Sequence, residues 1–183
     1  MREPEPETIV RARAGDLSAF ETLVRDYQAD VWRFAYHLTR DRARAEDVTQ
    51  EAFLRVFRAL GTFRGDAKFT SWLLRIVRNC AIDSYRAGRR EAPVLTRPED
   101  EGDRGPTPPE SSLAELRTGL HDAIRRLPLE LREPFVVIEV LGFTYREASV
   151  ILGVRVGTIK SRMHRARATL IRMLGSGEAA HEM

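Results

Sequence analysis

One segment of the chain, residues 148–177, contains no acidic residue and has the apolar spacing of a helix. At about 100° per residue, its apolar side chains fall on one side: Ile159, Met163, Ala166 and Leu170. The other side and its edges carry short polar and basic groups: Gly157, Lys160, Ser161, His164, Arg165, Arg162 and Arg167. A helix of this kind must bury its apolar side against other elements. The segment therefore predicts a packed helical domain with a basic outer surface.

The residues just before this helix predict a helix-turn-helix. Thr144 is expected to cap a short helix, with Glu147 three residues later as its capping-box partner. Gly153 ends that helix, and a second helix is expected over 156–174. Such a second helix lies in the DNA major groove, with outward side chains on base edges and flanking arginines on phosphates. The alternative is an ordinary two-helix packing unit with a solvated basic face. We favour DNA binding because the cap, the turn glycine and the acid-free segment occur together.

The composition argues against several classes of function. The single cysteine, Cys80, excludes a disulfide framework and a cysteine metal cluster, and it is expected in the core. The four histidines are scattered without ligand spacing, so neither a metal nor a cofactor is expected. No apolar run has membrane-spanning length and no signal peptide is evident, which predicts a cytoplasmic protein without membrane insertion. Without a phosphate loop or a nucleophile elbow, no enzyme activity is expected.

Breaks in the helical patterning divide the chain into two modules. Residues 1–8 are rich in Pro and Glu and are expected to form a disordered tail. Helical patterning covers 9–90, resumes over 113–175 and is followed by a short tail at 176–183. The segment 91–112 between them is proline-rich and mainly acidic, which predicts a flexible linker. Since no strand-like alternation of useful length occurs, the predicted fold is all-α, with two small helical domains on a tether.

The segment 47–58 predicts a helix with an unusual outer face. This face combines polar or charged groups with two large apolar side chains: Asp47, Gln50, Glu51, Leu54, Phe57 and Arg58. Apolar anchors ringed by charged groups are typical of a protein-binding patch. The sequence leaves one alternative open, that Leu54 and Phe57 pack beneath a neighbouring helix.

A loop at 61–71 and the helix after it predict a second nucleic-acid surface. Aromatic side chains beside basic ones can stack on unpaired bases, and Phe63 and Phe69 are so placed. The predicted surface consists of Phe63, Arg64, Lys68, Phe69, Trp72, Arg75, Arg78, Asn79 and Arg86. Of its three aromatic residues, Trp72 is expected to be the most structural. The alternative is a solvated helix face with internal ion pairs, such as Arg75 with Asp83.

Three motifs resemble those of bacterial sigma factors of the extracytoplasmic-function (ECF) group, in the sigma-70 family. They are AEDVTQEAF at 45–53, WLLRIVRN at 72–79 and GTIKSRMHRAR at 157–167. They stand in the family's order over roughly residues 19–174, with the linker between the second and the third. The chain departs from the usual pattern at Ser149, where the family commonly has alanine. It also departs at Arg155, where many members have proline, and this residue adds a charge near the groove.

The resemblance implies a promoter-specificity subunit of RNA polymerase that directs transcription initiation. The first module would be region 2, whose 47–58 face binds the clamp helices of the polymerase β′ subunit. Its 61–86 surface would melt and capture the minus-ten non-template strand. The linker would thread the active-site and RNA-exit region of the polymerase.

The second module would be region 4, which reads the minus-thirty-five element as duplex. The residues expected to bind it are Arg155, Thr158, Lys160, Ser161, Arg162, His164, Arg165 and Arg167. The implied partners are core RNA polymerase, through the β′ clamp helices and the β flap, promoter DNA, and an anti-sigma factor. A stand-alone helix-turn-helix transcriptional regulator is the alternative function, although such a protein has no need of a single-strand surface.

Overall fold

The computed structural model describes the backbone of residues 1–91 and 112–178 and the side chains of residues 1–87 and 119–174. Its helices are α1 (Pro6–Arg13), α2 (Leu17–Thr39), α3 (Arg42–Ala59), α4 (Phe69–Glu91), α5 (Ser112–Arg126), α6 (Leu129–Phe135), α7 (Tyr145–Leu152) and α8 (Val156–Glu178). A 3-10 turn, Leu60–Thr62, follows α3, and a π-helical turn, Val136–Val140, continues α6. No strand occurs in the part of the chain that the structure describes, and the all-α prediction is confirmed.

The first module, α1–α4, is built around the long helices α2, α3 and α4. Asp16 and Asp41 cap α2 and α3, each accepting a hydrogen bond from a first-turn N–H group. The module's core includes Leu23, Val31, Phe34, Ala52, Val56, Leu73 and Val77, all almost completely buried. Cys80 is buried among these residues as a free thiol, as the sequence predicts.

The second module, α5–α8, contains the predicted helix-turn-helix. Thr144 and Glu147 form a reciprocal capping box at the start of α7, and Gly153 ends that helix in the left-handed conformation, with φ 65°. Helix α8 buries the four apolar residues that its periodicity selects: Ile159, Met163, Ala166 and Leu170. Pro134 lies inside α6, where it donates no hydrogen bond, and the π-helical turn begins two residues later.

The first eight residues are ordered, contrary to the disordered tail that the sequence predicts. Helix α1 begins at Pro6, a residue type suited to the first turn. The backbone carbonyl of Arg2 accepts a hydrogen bond from the Tyr27 hydroxyl at 2.8 Å. The Glu3 carboxylate accepts further bonds from the N-terminus of α4. Partners supplied by the folded module therefore offset the entropy of ordering a segment whose composition alone predicts disorder.

The two modules pack directly against each other, α4 on α7 and α2 on α6. Arg40 Nη2 donates to the carbonyl of Leu127 at 2.9 Å, and Arg132 Nη2 donates to the carbonyl of Leu38 at 3.3 Å. The predicted linker at 91–112 lies almost entirely outside the described residues. The predicted tail at 176–183 does so from residue 179 onward, since α8 continues to Glu178.

Candidate functional site

The outer face of α3 is open to solvent in this arrangement. Leu54 is 51 % exposed and Phe57 is 48 % exposed, which rules out the alternative that both pack beneath a neighbouring helix. Phe57 meets the ring of Phe20 from α2 edge-on, with ring centroids 5.0 Å apart. The other members of the face are exposed or half-buried: Asp47, Gln50, Glu51 and Arg58. The structure thus brings together all six residues of the predicted protein-binding patch, which we call the α3 face.

An arginine that the sequence interpretation missed ties this face to α4. Arg55 donates from Nε to Glu51 at 2.6 Å and from Nη1 to Asp83 at 2.7 Å. The hydrogen bond with Asp83, and then that with Glu51, raises the pKa of Arg55. Asp83 therefore pairs with α3, and the proposed pairing with Arg75, whose side chain is exposed, is not observed. The separation of 28 residues between Arg55 and Asp83 hid this contact from periodicity arguments.

The three aromatic residues of the second predicted surface form one cluster. Phe63 lies 5.1 Å from Trp72 and 5.8 Å from Phe69 between ring centroids, and Phe69 also contacts Tyr27. Phe63 and Phe69 are buried, whereas Trp72 is only partly so. This reverses the expected order, in which Trp72 is the most structural of the three. The reason is that Phe69 opens α4 facing α2, a direction that the loop sequence does not reveal.

The polar members of this surface, which we call the α4 surface, fall into two groups. Four have exposed side chains: Arg64, Arg75, Asn79 and Arg86. The other two are occupied by carboxylates of the second module. Lys68 Nζ lies 2.7 Å from Glu147, and Arg78 donates to Glu133 from Nε at 2.8 Å and from Nη2 at 3.2 Å. The Glu133 side chain is only 5 % exposed, so the second module covers this part of the α4 surface.

Glu147 connects the α4 surface to the helix-turn-helix. Its carboxylate accepts hydrogen bonds from the backbone and the hydroxyl of Thr144, both at 2.8 Å, while it also pairs with Lys68. Partial burial acts to raise the pKa of Glu147, but the bonds from Lys68 and Thr144 outweigh it and lower the pKa to about 2. Glu147 therefore stays ionised near neutral pH and holds both the α7 cap and the inter-module ion pair.

Helix α8 presents its predicted DNA-contacting residues outward. Exposed side chains are those of Arg155, Lys160, Ser161, His164, Arg165 and Arg167, and half-buried ones are those of Thr158 and Arg162. We call this set the α8 face. Arg167 is paired with Glu139 of the π-helical turn at 2.6 Å, whereas Arg165 approaches Glu130 only at 3.9 Å. Both pairs are solvent-exposed and contribute little to stability, so a phosphate-bearing partner can replace these carboxylates.

Three further findings complete the description of the structure. A groove of about 700 Å³ lies where the end of α4 meets α2 and α6, and its lining includes Leu38, Ile82, Tyr85 and Leu129. Within the described residues, no group of three or more His, Cys, Asp or Glu side chains is arranged to hold a metal ion. None of the described helices combines the length and the apolarity needed to span a membrane.

Two family models match the chain, Sigma-70 region 2 over residues 23–91 and Sigma-70 region 4 over residues 117–170. RNA polymerase sigma-H factor of Pseudomonas aeruginosa is 34 % identical, over 94 % of this chain and 95 % of its own length. The ECF RNA polymerase sigma factor SigM of Mycobacterium tuberculosis is 35 % identical, over 93 % of this chain and 85 % of its own.

Two solved structures are similar in fold over most of the chain. CnrH in complex with the cytosolic domain of CnrY is 27 % identical, with a TM-score of 0.67 over 92 % of this chain and 96 % of CnrH. RpoE from Bartonella quintana, in complex with the anti-sigma factor NepR, is 26 % identical, with a TM-score of 0.67 over 85 % of this chain and 96 % of RpoE.

Proposed function

The chain belongs to the sigma-70 family of bacterial RNA polymerase sigma factors, in the ECF group, and we propose how its three surfaces divide the work. The α3 face binds core polymerase, the α4 surface captures the minus-ten strand, and the α8 face reads the minus-thirty-five duplex. A sigma factor is a promoter-specificity subunit, so RNA synthesis itself belongs to the core enzyme and this chain has no catalytic role. Its place of action is the cytoplasm, where the polymerase works.

The α3 face supports the assignment of polymerase binding. Leu54 and Phe57 are large apolar side chains held half-exposed on a rigid helix, and exposed carboxylates and amides surround them. Such anchors contribute most of the affinity at protein interfaces when a partner covers them. We propose the β′ clamp helices as that partner on the strength of the motif AEDVTQEAF.

The DNA-binding assignment rests on charge and accessibility. On α8, the apolar residues are buried while Lys160, His164 and Arg165 point outward, which is the arrangement needed for base readout in the major groove. On the α4 surface, the exposed side chains of Arg64, Arg75, Asn79 and Arg86 offer three cations and an amide to a DNA strand. Because Phe63 and Phe69 are core residues, we assign base stacking to Trp72 and give the two phenylalanines the role of holding it in place.

An anti-sigma factor is a further proposed partner. The groove between α2, α4 and α6 exposes Tyr85 and Leu129, which are 59 % and 43 % accessible. RpoE, a protein of similar fold, was solved with an anti-sigma factor bound. We propose that an apolar segment of such a partner enters this groove. Tyr85→Ser should then reduce co-purification with the anti-sigma factor while transcription with core polymerase is retained.

The decisive experiment is transcription in vitro from fragmented genomic DNA of the host organism by its core polymerase, with and without this protein. New start sites should appear only when the protein is added, and they should share minus-thirty-five and minus-ten elements. A Leu54→Ala, Phe57→Ala double variant should fold but lose these transcripts. The control is Val10→Ala, which truncates an exposed apolar side chain on α1. If the protein binds duplex promoters alone as tightly as with core enzyme, and adds no start sites, it is a stand-alone regulator instead.

A further inference from the structure

We propose that residues Met1–Glu3, here called the N-terminal latch, hold the two modules closed over the α4 surface and so inhibit binding of single-stranded DNA by the free protein. The proposal rests on the assignment of the α4 surface to the minus-ten strand. It adds a regulatory role for a segment that the sequence predicts to be a disordered tail. Three sets of contacts carry it: one to α4, one to α2 and one to the second module.

The first contact is the cap that Glu3 provides for α4. Phe69 N donates to one Glu3 oxygen at 2.9 Å, Thr70 N donates to the other at 3.1 Å, and the Thr70 hydroxyl also donates to this carboxylate. The first N–H groups of a helix have no partner within it. Lys68, which precedes α4, has a side chain that cannot accept a hydrogen bond. Glu3, 66 residues away in the sequence, thus supplies the N-terminal cap that no neighbouring residue provides. Its negative charge also interacts favourably with the dipole of α4 at this end.

The second and third contacts tie the same segment to α2 and to the second module. The Tyr27 hydroxyl donates to the carbonyl of Arg2 at 2.8 Å, and this bond holds the backbone next to Glu3 against α2. Met1 N donates to the carbonyl of Leu141 at 3.2 Å, just before the turn that leads into the capping box. The segment therefore bridges the start of α4 and the start of the helix-turn-helix.

Beside this bridge, Glu147 pairs with Lys68, the residue immediately before α4. Two carboxylates, Glu3 and Glu147, therefore engage the first turn of α4 and its flanking lysine at the same time. Both are acids placed where the proposed function requires the phosphates of a DNA strand to pass. In the closed arrangement a strand would meet these carboxylates and the covering second module at Lys68 and Arg78, while Arg64, Arg75 and Arg86 stay exposed. Opening must therefore precede capture of the strand by the whole α4 surface.

The test uses the full chain and a single change of charge. Glu3→Gln keeps the size of the side chain but removes its charge, and it should weaken the cap and the closure together. The control is Glu7→Gln, which removes the same charge from an exposed position in the first turn of α1. Spin labels at Ser18→Cys on α2 and Ala168→Cys on α8, both exposed sites, report the distance between the modules. The native Cys80 stays unlabelled because its burial raises the pKa of the thiol to about 11.

Two readouts are compared in each protein without polymerase. One is the distribution of label distances, and the other is affinity for a fluorescent oligonucleotide that carries the minus-ten non-template strand of an identified promoter. Glu3→Gln should shift the distribution to longer distances and raise the affinity by about tenfold, as expected for loss of one charge-assisted cap. Glu7→Gln should match the parent in both. Glu3→Ala, as a second variant, should behave as Glu3→Gln does.

The outcomes separate this proposal from the assignment on which it rests. Unchanged label distances in both Glu3 variants would overturn the latch, whatever the oligonucleotide affinity. Longer distances with tighter oligonucleotide binding would support both the latch and the strand-binding surface. Longer label distances with unchanged oligonucleotide affinity would show that the latch holds the modules together. They would also overturn the assignment of the α4 surface to the minus-ten strand.

Discussion

His37 should make the folded protein lose stability as the solution becomes mildly acidic. Its side chain is 6 % exposed near the contact of α2 with α5, and its Nδ1 atom has no hydrogen-bond partner among the described residues. Burial, and then the positive charges of His121, Arg33 and Arg125, lower the pKa of His37 to about 4. In the unfolded chain the pKa of a histidine is about 6.5, so the unfolded state binds a proton that the folded state excludes.

The sign and size of the effect follow from this difference. Where the unfolded state binds more protons, stability rises with pH, so the folded form loses stability as pH falls from about 6.5 towards 4. Integration of the difference in proton uptake between pH 7 and pH 5 predicts that His37 alone lowers the free energy of unfolding by about 2 kcal/mol. The Glu147 carboxyl, with its pKa of about 2, remains ionised in this window and contributes little to the change. Urea unfolding at several pH values would measure the effect.

Two variants isolate the contribution of His37. His37→Gln is neutral at every pH in this range, so its free energy of unfolding should vary with pH by about 2 kcal/mol less than that of the parent, even if its overall stability is lower. His164→Gln removes an exposed histidine from α8 and should leave the pH dependence of the parent unchanged. Equal pH slopes for the parent and His37→Gln would refute the argument that burial keeps this imidazole neutral.

The remaining predictions concern single residues of the three surfaces. Phe69→Ala should lower the free energy of unfolding by about 3–5 kcal/mol in urea titrations. Trp72→Ala should cost less stability but weaken minus-ten oligonucleotide binding by about 1–3 kcal/mol; the opposite ranking would contradict their burial. Leu54→Ala should weaken core polymerase binding by about 1–3 kcal/mol with unfolding unchanged, and an unaltered pull-down would reject the α3 face. On α8, Lys160→Ala should relax preference at one base pair, whereas Arg167→Ala should weaken binding to all sequences and lower the salt slope by about one. Indistinguishable salt titrations for these two variants would show that readout and phosphate contact are not divided in this way.

Local patterns were enough to predict the helix-turn-helix. The buried residues of α8 are those that helical periodicity selects, and Thr144, Glu147 and Gly153 act at the helix ends as their chemistry requires. These inferences succeed because each depends on residues within one or two helical turns of one another. The α3 face was predictable for the same reason, although only the structure could establish that Leu54 and Phe57 are left uncovered.

Contacts between distant residues were not predictable from one sequence. The sequence assigns Arg78 to DNA from its helix face and Lys68 from its place in the aromatic loop, and nothing local indicates that Glu133 and Glu147 occupy them. The aromatic loop failed in another way, because stacking on a base and packing in a core require the same residue types. Phe63 and Phe69 are core residues because of where α2 places Tyr27 and its neighbours, which is a tertiary fact. The N-terminal segment likewise has a composition typical of disordered chains, yet its Glu3 accepts a hydrogen bond from the first residue of α4.

The closed arrangement leaves the α3 face accessible but covers part of the α4 surface, and this difference bears on the order in which they bind their partners. Leu54 and Phe57 remain exposed, so the α3 face can meet polymerase without any movement of the modules. The α4 surface, in contrast, has Arg78 and Lys68 held by the second module, and it becomes fully available only when the modules separate. Exchange of a protein carboxylate for a DNA phosphate leaves the net charge nearly unchanged, but the Arg78–Glu133 pair, whose carboxylate side chain is only 5 % exposed, costs more to break than a surface pair, so opening needs a driving force. Binding of polymerase through an already open face can supply that force if the bound form keeps the modules apart, which makes capture of the minus-ten strand dependent on prior assembly with core enzyme.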